Sequence, residues 1–135
     1  MKVGFDIHGV IDTFGIFQDM MNKMIEDDDV EVHVISGLAR AEAERRIGHI
    51  VDLSKVKYFS ITDYLESRLD IEVKWIDGLP WSDETAWNNA KANYCQDEGI
   101  DVLFDDSPVY GKTFDNIATV YCQVRNPNRK TYKTR

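Results

Sequence analysis

An apolar run, K-V-G-F, ends in Asp6, and His8-Gly9 follows two residues later. Further on, V-I runs into Ser36-Gly37, and V-L-F runs into Asp105-Asp106-Ser107-Pro108, with Lys91 on the stretch between them. Brought into one crevice, Asp6, Asp105 and Asp106 would repel one another strongly in a low dielectric unless a cation compensated them. Hard oxygen ligands of this kind suit magnesium (Mg2+), which keeps several waters and is often completed by phosphate oxygens. Ser36 offers a hydroxyl and a backbone N–H at a strand-to-helix turn, where a phosphate oxygen can be held. Lys91 can neutralise charge that develops on a phosphoryl group. A carboxylate nucleophile such as Asp6 can form an acyl-phosphate and divide a hard hydrolysis into two steps. His8 adds an imidazole, a side chain able to give and take protons.

These residues lie in different parts of the chain, so secondary structure must bring them together. Short β-runs are read at K-V-G-F-D-I, V-E-V-H-V-I, K-Y-F-S, I-E-V-K-W, I-D-V-L-F and A-T-V-Y-C-Q-V. Between them, T-F-G-I-F-Q-D-M-M-N-K-M-I-E spaces Phe14, Phe17, Met21, Met24 and Ile25 at helical intervals. Asp12 or Thr13 is expected to cap that helix. R-A-E-A-E-R-R-I, I-T-D-Y-L-E-S-R-L and D-E-T-A-W-N-N-A-K-A-N-Y-C read as further helices, the last with Asp83 or Ser82 near its cap.

Strands separated by helices predict an α/β fold. The expected form is a three-layer sandwich with a central, mostly parallel sheet in a Rossmann-like arrangement. In such sheets ligands bind beyond the carboxyl ends of the strands. F-D-I-H, V-I-S-G and L-F-D-D-S are three such ends, and all three should face one crevice.

The 135 residues suit one domain, and 43% hydrophobic with 30% charged content is ordinary for a globular chain. No apolar stretch approaches the ~18 residues of a membrane span, and no secretory pattern opens the chain. Cys95 and Cys122 are far apart and form no metal-binding pattern, so reduced thiols in a cytoplasmic protein are expected. A net charge of −8 argues against general nucleic-acid binding. Residues 125–135 hold five basic residues (Arg125, Arg129, Lys130, Lys133, Arg135) and no acid, so the rest of the chain carries −13. A basic tail over 125–135 is expected to be solvated, though it could steer an anionic substrate.

The ordered set D-x-H-G-V, I-S-G, Lys91 and F-D-D-S-P-x-Y resembles the haloacid dehalogenase (HAD) superfamily of magnesium-dependent phosphohydrolases. The resemblance covers about residues 2–124, read as a single domain. It implies that Asp6 is the nucleophile and that Ser36, with Gly37 beside it, binds the phosphoryl group. It maps the family lysine to Lys91, with Lys74 a poorer match. It maps the metal-binding acids to Asp105 and Asp106, with Asp106 preferred, and a backbone carbonyl ligand to His8. Family phosphatases carry a second Asp where this chain has His8. The imidazole is therefore the expected acid/base, with weakened hydrolysis or a structural descendant as the other readings.

Members of the family often carry a cap domain. Too few residues follow Asp12 for one there, and much of the stretch from Leu38 to Ala90 is needed for the core. Trp75, Trp81 and Trp87 are expected to pack in that core, the alternative being that they line the mouth of the site. An open site would admit large substrates, or a homo-oligomer would cover it. The substrate is expected to be a phosphorylated small molecule, a nucleotide or a nucleic-acid end. Phosphotransfer to another acceptor and a non-catalytic phosphate- or metal-binding module remain as alternative functions.

Each motif also has a plain reading. Asp105 to Pro108 fits a helix cap, Ser36 a cap, and Lys91 a solvated helix lysine. His33 and His49 read as ordinary strand or surface residues, and Asp27-Asp28-Asp29 as a solvated turn.

Overall fold

The computed structural model describes residues 1–127; residues 128–135, which include Arg129, Lys130, Lys133 and Arg135 of the expected basic tail, lie outside them. Five strands form the central sheet: β1 (Lys2–Phe5), β2 (Glu31–Ser36), β3 (Lys57–Ser60), β6 (Val102–Asp105) and β7 (Val120–Gln123). Their order is β3-β2-β1-β6-β7, and every pairing is parallel. The helices α1 (Gly15–Ile25), α2 (Arg40–Ile47), α3 (Ile61–Ser67), α4 (Glu84–Glu98) and α5 (Pro108–Gly111) connect them. The α/β class read from the alternation of runs is the observed one.

Parallel strands need both faces covered, and the side-chain alternation of β1 shows how this is met. Val3 and Phe5 point into a core with Val32, Val34, Met21, Ala43 and Ile47. On the other face Ile35 and Leu103 pack with Ala92, Cys95 and Phe114. A Cβ on Gly4 would stand 2.7 Å from Ile35 Cδ1 and 3.2 Å from Leu103 Cδ1, so glycine at the central strand lets those two side chains close over it. His33, fully buried on β2, is satisfied at both nitrogens, by Tyr94 Oη and by Glu31 Oε1, each at 2.7 Å. The plain reading of His33 as a strand residue therefore holds. His49 and Asp27 to Asp29 are exposed, as read.

Three expectations fail. I-E-V-K-W does not join the sheet. Lys74–Ile76 (β4) pairs antiparallel with Leu79–Trp81 (β5) in a separate hairpin whose two-residue turn, Asp77-Gly78, has φ of 52° and 76°. The two-residue Asp-Gly turn between the short runs Lys74–Ile76 and Leu79–Trp81 favours local pairing over a long crossover back to the sheet. Trp75 and Trp81, on that hairpin, are 53% and 46% exposed rather than in the core, whereas Trp87 on α4 is buried. Finally, neither Asp12 nor Thr13 caps α1, which starts at Gly15 with no side-chain cap. Asp12 is engaged instead with the turn before it.

Among the described residues no helix is long and apolar enough to cross a membrane.

Candidate functional site

The strand ends converge as the parallel topology requires. Asp6 directly follows β1 and its N–H donates to the Phe104 carbonyl at 2.9 Å, which ties it to the neighbouring end of β6. Asp105 closes β6, with Asp106 next in the chain, and Ser36 closes β2. All seven residues named from the sequence (Asp6, His8, Ser36, Gly37, Lys91, Asp105, Asp106) line one cavity of about 380 Å³. Lys74 does not line it, so geometry favours Lys91 of the two lysines.

The floor of the cavity is charged and almost fully buried. Lys91 reaches from α4 with a side chain 2% exposed, and its Nζ donates to Asp6 Oδ1 at 3.0 Å and to Asp105 Oδ2 at 2.6 Å. It is no solvated lysine. Asp105 Oδ1 also accepts the Ser107 N–H at 2.9 Å, so both of its oxygens are committed to protein donors. Burial opposes the Lys91 ammonium, but the Asp105 and Asp6 carboxylates outweigh it and hold the group above its ordinary value. Burial, with Asp105 second, pushes Asp6 up to about 7 against the partial relief given by Lys91.

Asp6, Asp105 and Asp106 each bring a carboxylate oxygen into a group within 4.8 Å, and all three are buried. With all three carboxylates ionised, one ammonium leaves two negative charges in a low dielectric, where a divalent cation would compensate them. The donor set is hard oxygen throughout, which fits magnesium. Since Asp105 is held by Lys91 and Ser107, Asp6 and Asp106 are the carboxylates best able to turn an oxygen toward such an ion. Asp106 comes close because Gly9 lacks a side chain. At φ +74°, a Cβ on Gly9 would lie 2.1 Å from Asp106 Oδ2. The G of D-x-H-G-V is thus a requirement of both backbone and space.

On the β2 side, Ser36 is fully buried, and its Oγ accepts the Leu38 N–H at 3.1 Å. Gly37 packs against the Trp87 indole, where a Cβ would stand 3.0 Å from Cζ2. Trp87 donates its indole N–H to Tyr110 Oη at 2.8 Å, and the Tyr110 ring centroid lies 5.0 Å from Lys91 Nζ. These aromatics wall the lysine in. Ser107 caps α5 through the Val109 and Tyr110 N–H groups, with Pro108 at the first helical position. The cap reading of D-D-S-P is therefore correct for Ser107, while both aspartates serve the cavity.

His8 sits on a wide turn, Ile7–Ile11, closed by the Asp12 N–H donating to the Ile7 carbonyl at 3.1 Å. Its side chain is half exposed and lines the cavity, with Nδ1 3.1 Å from Asp12 Oδ2. Asp12 Oδ1 accepts the Gly9 N–H at 2.9 Å and the Thr13 hydroxyl at 2.7 Å. Burial works against the Asp12 carboxylate, but the hydrogen bonds from His8, Thr13 and Gly9 prevail and hold it below its ordinary value.

Leu79, Pro80 and Trp81 of the hairpin complete the lining, so the charged floor meets an apolar rim. Trp81 thus stands at the mouth, the alternative to the core position expected for it. The D-G pair at 77–78 between K-W-I and L-P-W is the signal for a free-standing hairpin. The contact of His8 with Asp12 is not among the sequence expectations, which give Asp12 only a cap role; its signal is the four-residue spacing across a turn.

Comparison of the chain with protein-family models, with curated proteins and with solved structures finds no match.

Proposed function

We propose that the protein is a magnesium-dependent phosphomonoesterase of the haloacid dehalogenase kind, working through an aspartyl-phosphate at Asp6. The observation that carries this reading is the placement of a buried carboxylate, Asp6, at a strand end between a lysine and a second buried aspartate. A salt bridge made only for stability is poorly served there, because burying three acids against one base costs more than it returns. A dianionic phosphoryl group with a divalent ion suits such a site.

Asp6 and Asp106 would hold the ion, which supplies charge neutralisation to the phosphoryl oxygens when bound. Ser36 and the backbone at Gly37 hold a phosphoryl oxygen at the end of β2. Lys91 fixes Asp6 through Oδ1, leaving Oδ2 to attack phosphorus. As the Asp6–phosphorus bond forms and the ester bond breaks, His8 gives its proton to the leaving oxygen. Water then attacks the acyl-phosphate and returns a proton to His8, and Asp6 leaves as the free carboxylate. The sum is ester plus water giving alcohol plus phosphate.

Phosphate release from a panel of sugar phosphates, nucleotides and 3′- or 5′-phosphorylated oligonucleotides, with and without magnesium, tests the reading. Turnover that requires the metal supports it. A flat panel with magnesium still bound would shift the function to a phosphate-binding module. His8→Ala is expected to lower kcat roughly a hundredfold or more if the imidazole carries the proton. An unchanged rate would remove His8 from that role.

In this reading the apolar rim of Leu79, Pro80 and Trp81 would receive the leaving group. Trp81→Ala is expected to raise KM about tenfold for esters with bulky apolar leaving groups, a loss of about 1.4 kcal/mol, with kcat nearly unchanged. Steady-state kinetics on an aryl phosphate beside a small polyol phosphate would read it. Equal effects on both would mean that the hairpin does not touch the leaving group.

A further inference from the structure

His8 is oriented by one side chain, and the way that side chain is itself held decides which nitrogen faces substrate. Asp12 Oδ1 is fixed by the Gly9 N–H and the Thr13 hydroxyl, so Oδ2 is the oxygen left for the imidazole. A carboxylate offers only acceptor lone pairs, so the hydrogen in this contact belongs to Nδ1. His8 Nε2 has no protein partner among the described residues, while the ring lines the cavity. Asp12 is not occupied by the role its sequence position suggested, since α1 begins at Gly15 without a side-chain cap.

We propose that Asp12 is a positioning residue that locks His8 in the Nδ1–H tautomer and so presents Nε2 to the reaction. This rests on the reading above, in which His8 carries the proton between the two half-reactions. The same nitrogen must then serve twice. The ring enters the first half protonated at both nitrogens, and its Nε2–H proton goes to the leaving oxygen as the ester P–O bond breaks and the Asp6 Oδ2–P bond forms, which leaves the neutral Nδ1–H tautomer. In the second, water's oxygen bonds to phosphorus, the Asp6–P bond breaks, and one water proton goes to Nε2. The Nδ1–H stays with Asp12 throughout. With the opposite tautomer, the neutral ring left between the two halves would show the acyl-phosphate a donor and could not accept the water proton.

Asp12→Asn separates this role from a merely structural one. The amide oxygen can keep the Gly9 and Thr13 hydrogen bonds at Oδ1, while its NH2 faces Nδ1 and drives the proton to Nε2. Long-range 1H–15N correlation spectra of His8 at about pH 8.5, where a free imidazole is neutral, report the tautomer directly. The expected result is Nδ1–H in the wild type and Nε2–H in Asp12→Asn. Turnover should fall about a hundredfold or more in kcat, with KM and magnesium affinity within about twofold of the wild type. An Nε2–H signal in the wild type, which needs no variant to fold, would overturn the proposal. So would an unchanged kcat in a variant whose tautomer has switched. If the tautomers behave as expected but the wild type releases no phosphate, the positioning stands and the phosphatase reading fails.

Discussion

Asp6→Asn is expected to abolish metal-dependent phosphate release, by roughly 10⁴-fold or more, while making the metal-free protein more stable above neutral pH. The amide cannot form the acyl-phosphate, yet its oxygen can still accept from Lys91 Nζ, which lies 3.0 Å from Asp6 Oδ1. Packing is therefore kept while one buried charge is removed. Burial first, and Asp105 second, push the Asp6 carboxyl up to about 7 from the ordinary 3.8. A group raised in the folded state binds its proton more tightly there than in the unfolded chain. Its contribution to stability is fully present below about 3.8 and is lost as pH rises through about 7. Asn has no such loss, so melting temperatures of the metal-free proteins should diverge between pH 5 and pH 8, with the variant ahead at pH 8. Added magnesium should raise the wild type more than the variant, because the ion relieves the same repulsion. Parallel melting curves across that pH range, or retained turnover in the variant, would contradict the role given to Asp6.

The residues that line the charged cavity were legible in the sequence because parallel sheets put strand ends on one side. Once F-D, V-I-S and L-F-D-D were read as strand ends, their convergence followed from topology alone. Lys91 was harder, since a lysine in the polar-looking run W-N-N-A-K-A-N-Y suggests a wet helix face. Its burial follows from tertiary charge pairing with Asp6 and Asp105, which no local pattern encodes. The hairpin was misjudged for a related reason. Tryptophan is highly buried on average, so three of them suggested core, whereas the hairpin turned by Asp77-Gly78 leaves Trp75 and Trp81 exposed, Trp81 at the cavity rim. Asp12 shows the opposite failure. Its residue type suited a helix cap, but the turn set by Gly9 brought it to His8 before the helix began.

Lys91→Met tests the charge balance on which the dication argument depends. Met is close in length and apolar, so the substitution removes the ammonium without opening a large cavity. What remains is a buried cluster of three carboxylates with no base. Breaking a buried pair by deleting one partner typically costs about 3–5 kcal/mol, and that range is expected for the metal-free variant at pH 8 by urea unfolding. The loss should shrink at pH 5, because Asp6, which titrates above the ordinary carboxylate range even beside Lys91, can take up a proton and leave less charge uncompensated. Asp105→Asn in the same chain should restore much of the stability, since Asp105 is the carboxylate nearest the ammonium, at 2.6 Å. Activity should not return with it, because the phosphoryl group would still lack the lysine and a firmly held nucleophile. A single variant within about 0.5 kcal/mol of the wild type at both pH values would mean that Lys91 is not what holds these acids together. The net negative charge of the cavity floor, and the need for a divalent ion above it, would then have to be argued from Asp6 and Asp106 alone.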